Sequence, residues 1–149
     1  MGDRVSPSRP ELFRHRAKQF ALRIVKLFQS LPNNEVTRTL GRQVLRSGTS
    51  VAANYRPVLC RARSKAEFIS KLGVVLEEAD ETAFWLELLT EAGVVPQSRL
   101  DGLLAETNEL VRIFAASRQT ARRRPGDYYE QGVAAQRVNH PIAKSLNRE

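Results

Sequence analysis

The chain is poor in the residues that most enzymes and metalloproteins need. It has one cysteine, two histidines, one tryptophan and one methionine in 149 residues. A lone cysteine, Cys60, excludes an internal disulfide framework and any multi-cysteine zinc site. Arg61 and Arg63 stand near it and could activate a redox thiol, but a free cysteine more often packs as a small hydrophobe. The two histidines, His15 and His140, cannot furnish the Glu-x-x-His pairs of a di-metal helical bundle, and no Glu-x-x-His occurs in the sequence. Ser47, Thr49 and Ser50 have no histidine nearby, and there is no glycine-rich phosphate loop. Long apolar runs are missing too: nothing approaches the ~20 residues of a membrane span. Arg4, Arg9, Glu11, Arg14 and Arg16 break up any leader-like segment. A cytoplasmic protein with no catalytic residues, no metal and no cofactor is expected.

What the chain does have is helical periodicity. Phe13, Ala17, Phe20, Ile24, Leu27 and Leu31 recur at alternating spacings of four and three, the seam of an amphipathic helix. Pro32 ends it, and Asn33 or Asn34 can cap the next helix. The second seam, Leu40, Val44, Ser47, Val51 and Asn54, is partly polar and is flanked by the small residues Gly41, Gly48, Ala52 and Ala53. Buried polar groups there need partners, so Ser47 and Asn54 are expected to face the core. Arg46 or Asn54 is expected to meet Glu78 or Glu81, a structural role for carboxylates that could otherwise pair as acid and base. Pro57 should kink or end the second helix. Ser64-Lys-Ala-Glu67 is a capping box for the third, whose seam is Ile69, Leu72, Leu76, Ala79, Ala83 and Leu86. Gly93 suits its C-terminal cap. A fourth helix opens at Pro96 and Ser98 and runs through Leu100, Thr107, Leu110 and Phe114.

These patterns predict an all-α, up-down-up-down antiparallel four-helix bundle. Helices are expected near 11–31, 35–56, 65–91 and 98–118, within a bundle spanning 11–120. Residues 1–10 read as a flexible N-terminus and 121–149 as a disordered basic tail. Leu72, Leu76, Ala83, Leu86 and Leu110 should be deeply buried.

Charge is divided unevenly along the chain. Residues 11–65 hold twelve Lys/Arg against two Asp/Glu, a net of +10, whereas residues 66–120 hold four against ten, a net of −6. Such a division suits an anionic partner for the first half, self-association of unlike faces, or two surfaces that neutralise each other within one fold. Arg38, Arg42 and Arg46 recur every fourth residue and so share a ridge. Arg56, Arg61, Arg63 and Lys65 gather where the second helix gives way to the third. Arginine forks match phosphate oxygens, and no RNA-recognition sheet motif, KH loop or zinc finger is present, so binding to RNA or DNA would read backbone and shape. The competing reading is a protein-interaction module whose basic face docks an acidic partner or another subunit.

Three segments in order, Arg46-Ser-Gly-Thr-Ser-Val-Ala-Ala-Asn54, Arg63-Ser-Lys-Ala-Glu-Phe-Ile-Ser-Lys-Leu72 and Glu78-Ala-Asp-Glu-Thr-Ala-Phe-Trp-Leu-Glu-Leu-Leu89, resemble the four-helix-bundle family of 23S ribosomal RNA intervening-sequence proteins. That family includes the accessory variability determinant of diversity-generating retroelements. The resemblance covers about residues 12–118. For retroelement members it implies a ring-like pentamer whose basic surface binds nucleic acid and engages the element's reverse transcriptase. Many relatives carry an acidic residue shortly after the position of Asn54. This chain has Arg56-Pro57 there, which makes the junction more cationic.

Overall fold

The computed structural model of the chain describes residues 8–123, the side chains of 57–61 excepted. Four helices account for nearly all of it: α1 (Arg9–Gln29), α2 (Glu35–Arg61), α3 (Lys65–Glu91) and α4 (Gln97–Arg123), with no strand among the described residues. Each terminus has a local chemical cause. At α1 the Glu11 carboxylate accepts from the Ser8 backbone N–H at 2.9 Å and from its hydroxyl at 3.1 Å, and Pro10 lies in the first turn, where its missing N–H costs nothing. Asn34 Oδ1 accepts from the Thr37 N–H at 2.9 Å to open α2. Ser64 Oγ accepts from the Glu67 N–H at 3.1 Å to open α3, while the Glu67 carboxylate reaches back to the Arg63 N–H at 2.7 Å. Helix α3 closes on Gly93 at φ 69°. The Val94 N–H returns to the Leu89 carbonyl and the Gly93 N–H to that of Thr90, both at 3.0 Å. This is the Schellman arrangement, with glycine where a Cβ would be strained.

The helices run antiparallel, as cross-helix neighbours show. A methyl group built on Gly48 would lie 2.7 Å from Ile24 Cγ1, and one on Gly41 would lie 2.8 Å from Leu31 Cδ1. Advancing along α1 therefore means moving back along α2, and these glycines let the two backbones approach. Arg16 meets Glu106 while Arg23 lies nearest Gly102, so α1 and α4 are antiparallel as well. The core is continuous, with Phe20, Ile24, Val44, Val51, Leu72, Val75, Leu86, Leu89, Leu100, Leu110 and Phe114 among its fully buried side chains. Tyr55 reaches across it to Phe114, their ring centroids 5.2 Å apart, and burial pushes the Tyr55 hydroxyl pKa well above its ordinary value.

Four expectations need correction. Helix α2 does not end before Pro57 but continues to Arg61. The acceptor that loses its donor is the carbonyl of Ala53, an exposed residue, so water can take the place of the missing N–H. Helix α4 runs five residues beyond 118, and Ala121 is buried against the core, so 121–123 belong to the bundle and not to a tail. Likewise Arg9 and Pro10 are helical. Leu76 is only partly buried, because at about 100° per residue it stands one step round from Val75, at the α3/α4 edge. Residues 1–7 and 124–149, where most of the expected flexible N-terminus and basic tail fall, lie outside the described residues.

The α1/α4 seam is the thinnest in the bundle, and an ion pair clasps it. Arg16 Nε donates to Glu106 Oε1 at 2.7 Å and Nη2 to Oε2 at 2.8 Å. This two-pronged bond holds the Glu106 pKa below the usual carboxylate value. A depressed folded pKa contributes stability above the unfolded value, ~4.3, and that contribution is lost as pH falls through the folded pKa. Glu106→Gln should therefore cost about 1 kcal/mol at neutral pH, and the gap between wild type and variant should close under acid. Urea melts from pH 7 to pH 3 test this; a gap that stays constant would mean that Glu106 is not held by charge. In the core, Leu72→Ala should cost ~2–5 kcal/mol and Leu76→Ala clearly less. Equal losses would contradict the edge position of Leu76.

Candidate nucleic-acid interface

Helix α2 presents its cations on the side away from the core. Arg38, Arg42, Arg46 and Arg56 are exposed. Arg38 and Arg56 are eighteen residues apart, five whole turns at 3.6 residues each, so they share an azimuth about 27 Å apart. Thr49 and Ala53 fill the stripe between Arg46 and Arg56. Past the end of the helix, Arg63 is exposed and Lys65 half-buried. The side chain of Arg61, assigned to the same surface from the sequence, lies outside the described residues, as does that of Cys60.

The cations on this stripe are not equally free. Arg46 Nη1 lies 3.4 Å from Glu78 Oε2, Nη2 donates to Glu81 Oε1, and Nε lies 3.4 Å from Gln43 Oε1. Glu81 also accepts from Trp85 Nε1 at 3.0 Å. The Arg46 guanidinium first, and the indole second, hold the Glu81 pKa below the usual carboxylate range, while Glu81 holds the Arg46 pKa above its own. Arg46 thus ties α2 to α3 at the surface and has little left for another anion. Arg38 donates to Asn33 Oδ1, a neutral partner. Arg42 and Arg56 make no hydrogen bond or ion pair with any described residue. The stripe offers Arg42 and Arg56 freely, Arg38 with its charge uncompensated, and Arg63 and Lys65 at its end.

Beneath the stripe the polar seam is real but differs in one member. Ser47 is 0% exposed, and its Oγ lies 2.9 Å from Thr82 Oγ1 across the α2/α3 interface. Ser47 donates its own proton to the Gln43 carbonyl at 2.9 Å, and Thr82 can donate to Ser47 or to the Glu78 carbonyl at 2.7 Å. Asn54 does not join it. The side chain is half-buried, and Nδ2 donates to the Ser50 carbonyl of its own helix at 2.9 Å; no bond runs to Glu78 or Glu81. Seven residues make slightly less than two full turns, so a heptad-spaced position drifts about 20° off a seam, and Tyr55 takes the core place beside it. Thr82 was missed because a threonine inside an apolar stretch gives no signal of its partner. Among the described residues no three His, Cys, Asp or Glu side chains gather as a metal site, and no helix is long and apolar enough to cross a membrane.

A second set of cations escaped the half-by-half charge count. From Leu110 to Pro125 the sequence holds five arginines and no Asp or Glu, but the acidic residues before it bring the sum for 66–120 below zero. Antiparallel topology puts the end of α4 at the same end of the bundle as the α2/α3 junction. Arg118 and Arg122 therefore stand at the end that carries Arg63 and Lys65.

The family model for the 23S rRNA-intervening sequence protein matches residues 13–116. The chain belongs to this family. A crystal structure of a protein of unknown function from the S23 ribosomal protein family of Bacteroides thetaiotaomicron is similar at 32% identity and a TM-score of 0.69, covering 75% of this chain and 99% of that one. No curated protein matches the sequence. The four helices thus form the shared body of the intervening-sequence family, and the match stops short of Arg118, Arg122 and Arg123.

The Ser47–Thr82 contact is expected to show a coupling of about 0.5–1.5 kcal/mol in a Ser47→Ala/Thr82→Val double-mutant cycle. Asn54→Leu should stay within about 0.5 kcal/mol of wild type. Urea denaturation decides both: an Asn54→Leu loss larger than that of Thr82→Val would restore Asn54 to the seam.

Proposed function

We propose that this intervening-sequence family member is a non-enzymatic, homo-oligomeric bundle that acts in the cytoplasm and binds RNA or DNA through backbone phosphates. The observation that carries the proposal is the α2 stripe, where Arg42 and Arg56 point away from the core with no acidic partner among the described residues. A helix surface needs no such cations for folding, and paired residues such as Arg46 show how the same fold neutralises a charge when it has a structural use for it. A stripe about 27 Å long spans roughly eight nucleotides of one B-form strand at 3.4 Å each, enough for several phosphates. Reading would follow backbone and shape, since no base-reading module is present.

Self-association is supported by helix α3. Val74 is 41% and Phe84 53% exposed, among the exposed acidic residues Glu77, Asp80 and Glu87. An apolar and acidic strip is the complement of a cationic, partly apolar one on another copy. Multiple copies of a weak patch bind a polymer more tightly than one. A pentamer, and a reverse transcriptase as protein partner within a diversity-generating retroelement, are carried by the family resemblance alone. The same α3 strip favours the second reading, in which the protein docks other proteins and has no nucleic-acid role.

Replacing Arg42, Arg56 and Arg63 together with glutamine separates the two readings. Binding to a single-stranded RNA across a salt series should weaken, with the log–log slope flattening by about 0.7 for each lost phosphate contact, or about 0.9 on duplex DNA. A folded variant with an unchanged slope would discard the α2 stripe and leave protein docking as the function.

A further inference from the structure

Helices α3 and α4 leave an open groove of about 490 Å³ near the cationic end of the bundle, with Leu76, Ala115 and Ala116 as apolar wall and Arg112, Arg118 and Arg122 around it. Two of these arginines are uncommitted. Arg112 is paired with Glu109 at 3.0 Å, but Arg118 and Arg122 make no hydrogen bond or ion pair with any described residue. Arg118 Nε is buried without a partner. A methyl group built on Gly73 would lie 3.0 Å from Arg118 Nη2, 3.1 Å from Cζ and 3.2 Å from Nε. The guanidinium therefore lies against the bare Cα of Gly73, where an added methyl group would push it away by a few tenths of an ångström. Favourable charge at a helix C-terminus accounts for Arg122 and Arg123 but not for Arg118, which stands a turn further in.

We propose that this groove is a phosphomonoester site: Arg118 and Arg122 hold the phosphate, and Leu76, Ala115 and Ala116 cover the group attached to it. Arg118 and Arg122 are one turn apart on one face, where like charges repel, and two guanidinia call for more than one negative charge. A phosphomonoester carries about −1.5 to −2 at neutral pH and offers oxygens that fit two arginine forks. A carboxylate supplies one charge and leaves one arginine uncompensated. The ligand is either a free nucleotide or the phosphorylated end of a nucleic acid, which share this chemistry. The site does not depend on the α2 stripe, which lies on another face.

The test uses the full chain and follows the Arg118 Nε–H and Gly73 amide resonances by NMR during titration. Inorganic phosphate and adenosine 5′-monophosphate should move both. Gly73→Ala keeps the net charge and displaces the guanidinium, so it should weaken binding about tenfold, as should Arg118→Gln. Lys18→Gln, a charge-matched change on α1, should not. Gly73→Ala should leave the melting temperature unchanged or higher, since alanine is the better helix former, which separates lost binding from lost folding. An oligonucleotide with a 5′-phosphate that outbinds both its 5′-hydroxyl form and the mononucleotide would assign the ligand to nucleic-acid ends; equal affinity for the mononucleotide would assign it to free nucleotides. The proposal is overturned if phosphate moves neither resonance, if acetate or succinate binds as tightly as phosphate, or if folded Gly73→Ala and Arg118→Gln bind like wild type. Unchanged RNA binding in the α2 variant, with phosphate binding intact, would sink the preceding proposal and leave this one standing.

Discussion

Three residues, Ala62 to Ser64, separate α2 from α3. An extended segment of that length spans about 10 Å, close to the 8–10 Å between packed helix axes. Helix α3 can only turn back along α2, and the five-residue links on either side impose the same on α1 and α4. The ends of the helices then alternate, which collects the start of α1, the end of α2, the start of α3 and the end of α4 at one end of the bundle. Arg63 and Lys65 at the junction and Arg118, Arg122 and Arg123 at the end of α4 become neighbours through this constraint, although some fifty residues separate them in sequence. The charge pattern on the surface follows from topology as much as from composition.

Within that frame the α2/α3 interface is the most specified. Two hydroxyls stand at its centre, where Ser47 and Thr82 meet without leaving a buried donor unpaired. At its rim Arg46 is shared between Glu78 and Glu81, with Trp85 on the same carboxylate. A half-exposed ion pair adds little stability by itself, but this one fixes the azimuth of α2 relative to α3. It thereby also decides which arginines of the ridge remain outward and unpaired. One ion pair acts both in holding the fold and in shaping the surface.

Most of the fold is legible in the sequence because helical seams, caps and links act locally. The four-three spacing through Phe13 to Leu31 shows which face of α1 is buried, and Ser64 with Glu67 marks the start of α3. What stays hidden depends on neighbours the sequence does not name. Proline signals a break at 57, yet whether the helix survives depends on whether the Ala53 carbonyl can find water. Ser8 and Glu11 repeat the Ser-x-x-Glu spacing of Ser64 and Glu67, a signal that could have placed the start of α1 correctly. Leu76 and Asn54 match their seams in spacing but fall to the edges, because a residue's burial is set by the helix opposite as well as by its own period. Thr82 and Glu106 become partners only across an interface.

The candidate site divides along the same line. A ridge at every fourth residue is a property of one helix, so Arg38, Arg42 and Arg46 are visible from spacing; their availability is not, since it depends on carboxylates from α3. Summing charge over half the chain hides a cationic segment that begins where the acidic one ends, and the arginines of α4 were lost in that way. Gly73 shows the limit most clearly. In the sequence it is a weak helix former inside an otherwise regular helix, with no evident use. In three dimensions it is the surface on which an unpaired guanidinium rests. A helix that carries the conformational cost of a glycine and leaves a buried arginine donor without an acceptor has two unfavourable features at one place. Packing of α3 on α4 requires neither, since alanine and a shorter polar side chain would satisfy the same contact; a phosphate in the groove would give both a purpose.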